Sequence, residues 1–175
     1  MNSYCSDFSE KNVRPHVRDF YNKILSVVEG GQLVDKVNVG DLRALIYGQL
    51  EDLVIPYEEL EFEGLVGSGS TSKVYKGCFR FCDVAFKQIN ISLCSGKQLT
   101  YLFNELTCMK KLRHPNVVLL LGISIDDMEN LIIILEYFEQ LTMDQFVKKY
   151  KGQIPISTKC EILFDIGKFL TFNNL

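Results

Sequence analysis

Apolar side chains recur along this chain with two different periods, and the change between them divides it. Val13, Val17, Phe20, Tyr21, Ile24 and Val28 stand three or four positions apart, which lines one face of an α-helix. Gly30-Gly31 predicts its end. Leu42, Leu45, Ile46, Leu50 and Leu53 repeat the spacing, with Asn38 or Asp41 placed to cap this second helix and Pro56 to stop it. Two short amphipathic helices are marginal alone, so both are expected to dock on something larger. From Leu60 the period shortens. Leu60-Glu61-Phe62-Glu63 alternates as a strand does, and residues 74–77 and 83–89 follow with Gly/Ser turns between them, which predicts antiparallel hairpins. Leu99, Leu102, Phe103, Leu106 and Met109 then line a helix face, and Lys110, Lys111 and Arg113 load its last turn, where the helix dipole favours cations. Two apolar strands, 117–125 and 131–137, are joined by Asp126, Asp127 and Glu129; helices are expected over 143–150 and 158–172. Five strands grouped around one helix make an α+β layout.

Composition narrows the possibilities. With 47% hydrophobic and 23% charged residues the chain can bury a core and is not wholly disordered. Lys and Arg total 19 against 22 Asp and Glu, a net −3. Residues 1–59 hold 6 basic and 10 acidic side chains, and the remainder 13 and 12, so the deficit sits in the N-terminal part. Such a balance argues against a nucleic-acid partner bound through bulk positive charge. No apolar run approaches the ~20 residues of a membrane span; residues 117–125 stop at Asp126-Asp127. The first twenty residues carry Asp7, Glu10, Lys11, Arg14 and Arg18 and no apolar signal core, so a cytoplasmic location is expected. Cys5, Cys78, Cys82, Cys94, Cys108 and Cys160 are irregularly spaced, and His16 and His114 are the only histidines; free thiols are expected and no metal site.

Three features could carry chemistry. Gly67-Ser68-Gly69-Ser70-Thr71-Ser72-Lys73-Val74 lies between two strands, where glycines let the backbone approach a ligand and successive N–H groups can face phosphate oxygens. A Gly/Ser hairpin is also an ordinary turn. Lys87 follows Val84-Ala85-Phe86 inside an apolar strand. Such a lysine either points to solvent or needs a carboxylate, because an unpaired buried ammonium is costly. Glu105, between Phe103 and Leu106 at the edge of the helical stripe, is placed to supply that carboxylate or to stand in water.

Taken in order, these stretches resemble the small lobe of a eukaryotic protein kinase. The family's G-x-G-x-x-G-x-V, V-A-x-K and helix glutamate read here as Gly67-x-Gly69-x-x-Ser72-x-Val74, Val84-Ala85-Phe86-Lys87 and Glu105. Leu112-Arg113-His114-Pro115-Asn116-Val117-Val118 is similar to the family's link from its C helix to the fourth strand, and Ile134-Leu135-Glu136-Tyr137-Phe138 to the fifth strand and hinge. The wording from Asn104-Glu105-Leu106 to Leu119-Leu120-Leu121-Gly122 is most like the tyrosine-kinase-like group, whose members mostly phosphorylate Ser/Thr. The resemblance implies a five-stranded antiparallel small lobe with its C helix over residues 59–175, a large lobe cut off before the catalytic loop, and a helical extension over 1–58. It implies ATP as the ligand. Val66, Gly67, Ser68, Gly69, Ser70, Thr71, Ser72 and Val74 would cover it, and Lys87 would hold the α- and β-phosphates while Glu105 holds Lys87. Val66, Val74, Ala85 and Leu135 would enclose adenine, and backbone groups of Glu136 and Phe138 would bond its edge. His114 would be a turn residue. A protein substrate or a partner kinase would be the macromolecular partner.

The pattern departs from the family in two ways. Ser72 replaces the third glycine, which matters if that position needs a positive φ. No His-Arg-Asp and no Asp-Phe-Gly occurs, so the base, its neighbouring Asn and the metal-holding Asp are lacking; Mg²⁺ use is expected only in a full-length parent, and this stretch is expected not to transfer phosphate. Ile162, Leu163, Ile166, Phe169, Leu170 and Phe172 would normally pack against more of a large lobe, and are expected to form an exposed apolar patch. A kinase-like interaction module without catalysis is the alternative reading.

Overall fold

The computed structural model describes residues 13–29, 44–151 and 153–172. The first helix, α1, runs over Pro15–Glu29 and buries Val17, Phe20, Tyr21 and Ile24 of the predicted stripe; Val27, outside that stripe, is buried too, while Val13 and Val28 are half-buried against the core. Gly30, Gly31, Asn38, Asp41 and Leu42 lie outside the described residues. Where a second α-helix is expected, residues Ile46–Leu50 form a π-helical turn that passes into a 3-10 turn at Glu51–Leu53. The wider turn brings Ile46, Tyr47 and Leu50 into the core together. The segment then extends, and Val54 bridges Ile123 in parallel.

The sheet follows, as β1 (Glu61–Ser68), β2 (Ser72–Phe79) and β3 (Cys82–Asn90), then helix α2 (Gly96–Lys111), then β4 (Leu120–Ile125) and β5 (Asn130–Glu136). Its five strands are ordered β1-β2-β3-β5-β4, and every neighbouring pair is antiparallel. This is the α+β architecture expected for a kinase small lobe. Helix α2 starts on a reciprocal cap: the Ser95 hydroxyl accepts from the Gln98 N–H at 3.2 Å, and the Gln98 side chain accepts from the Ser95 N–H at 2.7 Å. Strand β4 is shorter than the predicted 117–125: the Val117 N–H closes a turn by donating to the His114 carbonyl, and the ladder with β5 begins at Leu120.

Core packs on both faces of the sheet. Leu131 and Ile133 face a cluster shared with Leu99, Phe103 and Leu106 of α2 and with Phe20, Ile24 and Leu50 of the N-terminal segments. Ile132 and Ile134 face a second cluster with Val84, Phe86, Ile55 and Leu60. Burial on both sides is why β5 reads as an unbroken apolar run rather than an alternation.

Beyond β5, α3 (Met143–Lys149) starts on a second reciprocal cap between Thr142 and Gln145, and α4 spans Ile156–Phe172. The expected apolar patch is there: Leu163 is 67% exposed, Ile166 52% and Leu170 57%. Phe164, outside the predicted set, is as exposed as Leu163, with the Lys168 ammonium over its ring. Ile162 and Phe169 are half-buried. The Phe172 side chain is outside the description. No helix among the described residues is long and apolar enough to cross a membrane.

Candidate functional site

The β1–β2 hairpin closes tightly. Gly67 stands opposite Val74 and Ser68 opposite Lys73, and the Gly69 N–H donates to the Ser72 carbonyl at 2.7 Å. Ser72 is the first residue of β2 and is not among the non-glycine residues with positive φ, so the serine in place of a glycine costs no left-handed strain.

Strand register assigns the faces. Residues directly opposite one another project to the same side of a sheet. Lys87 stands opposite Val74 in β2 and Ile133 in β5; Ala85 stands opposite Lys76 and Leu135. Ile133 and Leu135 pack in the cluster that contains α2. Lys87, Val74, Ala85 and Leu135 therefore share the α2 side of the sheet, and Lys87 is half-buried there.

Glu105 is on α2, on the margin of the stripe formed by Leu99, Phe103 and Leu106, and is exposed. Among the described residues neither Lys87 nor Glu105 makes an ion pair. The expected clamp is thus open in this structure. The physical reason lies in α2, whose sheet-facing side is filled by large apolar side chains, so its marginal carboxylate keeps its hydration.

Leu135 is the penultimate residue of β5, and Glu136 closes the strand. The Glu136 N–H donates to the Leu119 carbonyl at 3.1 Å, and its carboxylate accepts from the Leu119 N–H at 2.7 Å. That N–H is therefore taken up within the chain. Phe138 is 55% exposed. His114 takes the structural role expected of it: its Nδ1 accepts from the Asn116 N–H, and its ring meets Phe169 edge-on at 5.7 Å.

One cluster escapes sequence reasoning. Lys76, on the Ala85 face, lies 3.1 Å from Asp83 and 3.7 Å from Glu63, with its ammonium over the Tyr137 ring. The Asp83 hydrogen bond, chiefly, raises its pKa above the ordinary amine value. The signal was a lysine two positions after Val74 on the same strand face, which becomes visible only when the register is known.

A pocket of ≈ 400 Å³ lies at the hairpin tip, lined by Gly69, Ser70, Thr71 and Ser72 together with Tyr75, Gln88 and Asn130. Tyr75 stands opposite Phe86 and Gln88 opposite Ile132, so this hollow opens on the sheet face away from α2. Val66, Val74, Ala85, Lys87, Leu135, Glu136 and Phe138 are not in its lining.

A family model for protein tyrosine and serine/threonine kinases matches residues 60–172. The chain belongs to the protein kinase family. Among curated kinases it is 32% identical over 118 residues to the RasGEF domain-containing serine/threonine-protein kinase X of Dictyostelium discoideum, covering 67% of this chain and 12% of that protein. It is 30% identical over 115 residues to the serine/threonine-protein kinase TNNI3K of Mus musculus, covering 65% of this chain and 14% of that one. The probable serine/threonine-protein kinase SIS8 of Arabidopsis thaliana matches at 25% over 144 residues, 82% of this chain and 14% of the relative. The chain thus spans about an eighth of the length of these kinases. Kinase chemistry uses Mg²⁺, and among the described residues no group of His, Cys, Asp or Glu could hold a metal ion.

Proposed function

We propose that this chain carries the nucleotide-binding half of a serine/threonine kinase of the tyrosine-kinase-like group. The whole protein would transfer the γ-phosphoryl group of ATP to a protein hydroxyl, with Mg²⁺ held by residues of the remaining domain. The observation that carries this reading is the shared face of Val74, Ala85, Lys87 and Leu135 on the α2 side of the sheet. Three apolar side chains and an ammonium aligned there suit an adenine ring with phosphates beside it. The backbone of 67–72 is the lid, and Lys87 the group that orients the phosphates as a point charge. Phosphoryl transfer depends on position more than on covalent help, so a lysine held by Glu105 is worth most once the clamp closes. Closure requires α2 to turn toward the sheet.

Calorimetric titration of the chain with Mg-ATP tests the reading. Weak but measurable binding is expected, because half of the adenine cleft belongs to the second lobe. Lys87→Met should reduce that affinity at least tenfold, and Lys73→Met, on the opposite face, should leave it unchanged. Equal effects from the two substitutions would overturn the assignment.

A second reading is a non-catalytic module that docks on a partner kinase through α4. The open Lys87–Glu105 pair and the exposed Leu163, Phe164, Ile166 and Leu170 favour it. Under that reading a stable complex forms with a partner kinase and Lys87→Met has no effect on it.

A further inference from the structure

The N-terminal segments are built into the small lobe at two points. Residues 53–55 lie against the outer edge of β4: Val54 bridges Ile123, and the Ile55 N–H donates to the Ile123 carbonyl at 2.8 Å. Gly122 makes that approach possible, since a Cβ there would overlap the Ile55 side chain and press on the Leu53 carbonyl oxygen. Helix α1 covers the same edge and reaches the β4–β5 turn, where Lys23 meets Asp127 at 3.0 Å and the Ser26 hydroxyl donates to Glu129 at 2.8 Å.

The second point is the C-terminal end of α2. The Lys110 ammonium bonds the Gln49 carbonyl and pairs with Asp52, in the turn where the π-helical segment ends. Leu99, Phe103 and Leu106 of α2 share one cluster with Ile46 and Leu50. One continuous segment therefore grips both the edge strand and the last turn of the helix that bears Glu105. Lys110 is five residues from Glu105, on the same rigid rod.

We propose that residues 13–29 and 44–56 act as an internal brace: the Asp52–Lys110 pair fixes the last turn of α2 and so holds the helix at the rotation that keeps Glu105 away from Lys87. Asp52 and Lys110 are positioning residues, acting through α2. A segment seated on β4 cannot follow a moving helix, so the grip on Lys110 leaves α2 to turn about its own C-terminal end. The consequence for ligand binding rests on the nucleotide reading given above; the brace itself does not.

Hydrogen exchange on the full chain, followed by mass spectrometry, tests it. Asp52→Lys should speed exchange of the amides at 105–111 roughly fivefold, the upper range for losing one partly exposed pair. Strands β2 and β3 should be unchanged. The swap Asp52→Lys with Lys110→Asp should restore the slow rates. Unchanged rates at 105–111, a uniform acceleration across every strand, or no recovery in the swap would each overturn the brace. Should Asp52→Lys fail to fold, Asp52→Asn removes the pair with less disturbance and carries the same expectations. Mg-ATP titration separates the two layers. Where the wild-type chain binds ATP, Asp52→Lys should change its affinity in the native background and leave it unchanged in Glu105→Gln. Equal changes in both backgrounds would refute the link to Glu105. Absence of ATP binding by the wild-type chain would sink the nucleotide reading, while the exchange data still decide the brace.

Discussion

At the scale of single residues, packing rather than chemistry gives the sharpest expectations. Gly77 stands where β1 and β2 pair, and a Cβ added there would fall on the Glu61 carbonyl oxygen and the Phe86 ring. The ring is fully buried and the carbonyl belongs to the sheet, so neither can withdraw. Gly77→Ala is expected to cost about 1–3 kcal/mol or more, read as a lower urea midpoint at unchanged slope. Thiols divide as cleanly. Burial pushes the Cys94 pKa up, whereas Cys82, Cys108 and Cys160 are exposed. Iodoacetamide at pH 8 should therefore label those three well before Cys94, as peptide mass spectrometry would show; simultaneous labelling would mean that the turn around Cys94 opens freely. The motif residues were legible one by one. Lys87 was readable from its apolar neighbours, and Ser72 as a departure from the family pattern. That Ser72 carries no strain was not readable, because φ at a hairpin tip depends on which residue begins the return strand.

At the scale of elements, α2 and α1 have different jobs. Phe103 is fully buried between α2 and the sheet, and Tyr101 on the opposite side is 63% exposed. Phe103→Ala should cost about 3–5 kcal/mol and Tyr101→Ala well under 1 kcal/mol, compared by denaturant unfolding. Helix α1 is held to the acidic turn partly by Lys23. Burial lowers the pKa of that lysine, but the hydrogen bond and the attraction of Asp127 and Asp19 outweigh it, so the folded value stands above 10.5. The folded state thus holds this proton more tightly than the unfolded chain. Its contribution is complete below the unfolded value and drains away as pH rises through the higher folded one. A pair this exposed is worth at most about 1 kcal/mol. Lys23→Met should therefore lower stability slightly at pH 7, and the gap should close in strongly alkaline solution; a gap that widens there would contradict the pairing. Helix spacing revealed both elements, since an apolar stripe is a local property. The π-helical turn at Ile46–Leu50 was not foreseeable, because it serves a core whose other walls come from distant strands.

At the scale of the molecule, core packs on both faces of the sheet around β5, while α4 leaves apolar side chains uncovered. Leu163, Phe164, Ile166 and Leu170 together present an apolar face larger than isolated surface residues make. Sedimentation should show concentration-dependent association of the chain. Leu163→Lys with Leu170→Lys should abolish that association without lowering the melting temperature; retained association would place the sticky surface elsewhere.

The order of the five strands with α1, α2, α3 and α4, the kinase motifs and the apolar face of α4 followed from local pattern alone, because period, turn chemistry and motif spacing are written along the chain. Tertiary structure decided what depends on register and on helix rotation. It put Lys87 with Val74 and Leu135 on the α2 side and the hairpin-tip pocket on the other. It left Glu105 in water, and it tied the N-terminal segments to β4 and Lys110. A side chain's neighbours across a sheet are chosen by a pairing many residues away. The orientation of a helix is set by which of its faces the assembled core can fill.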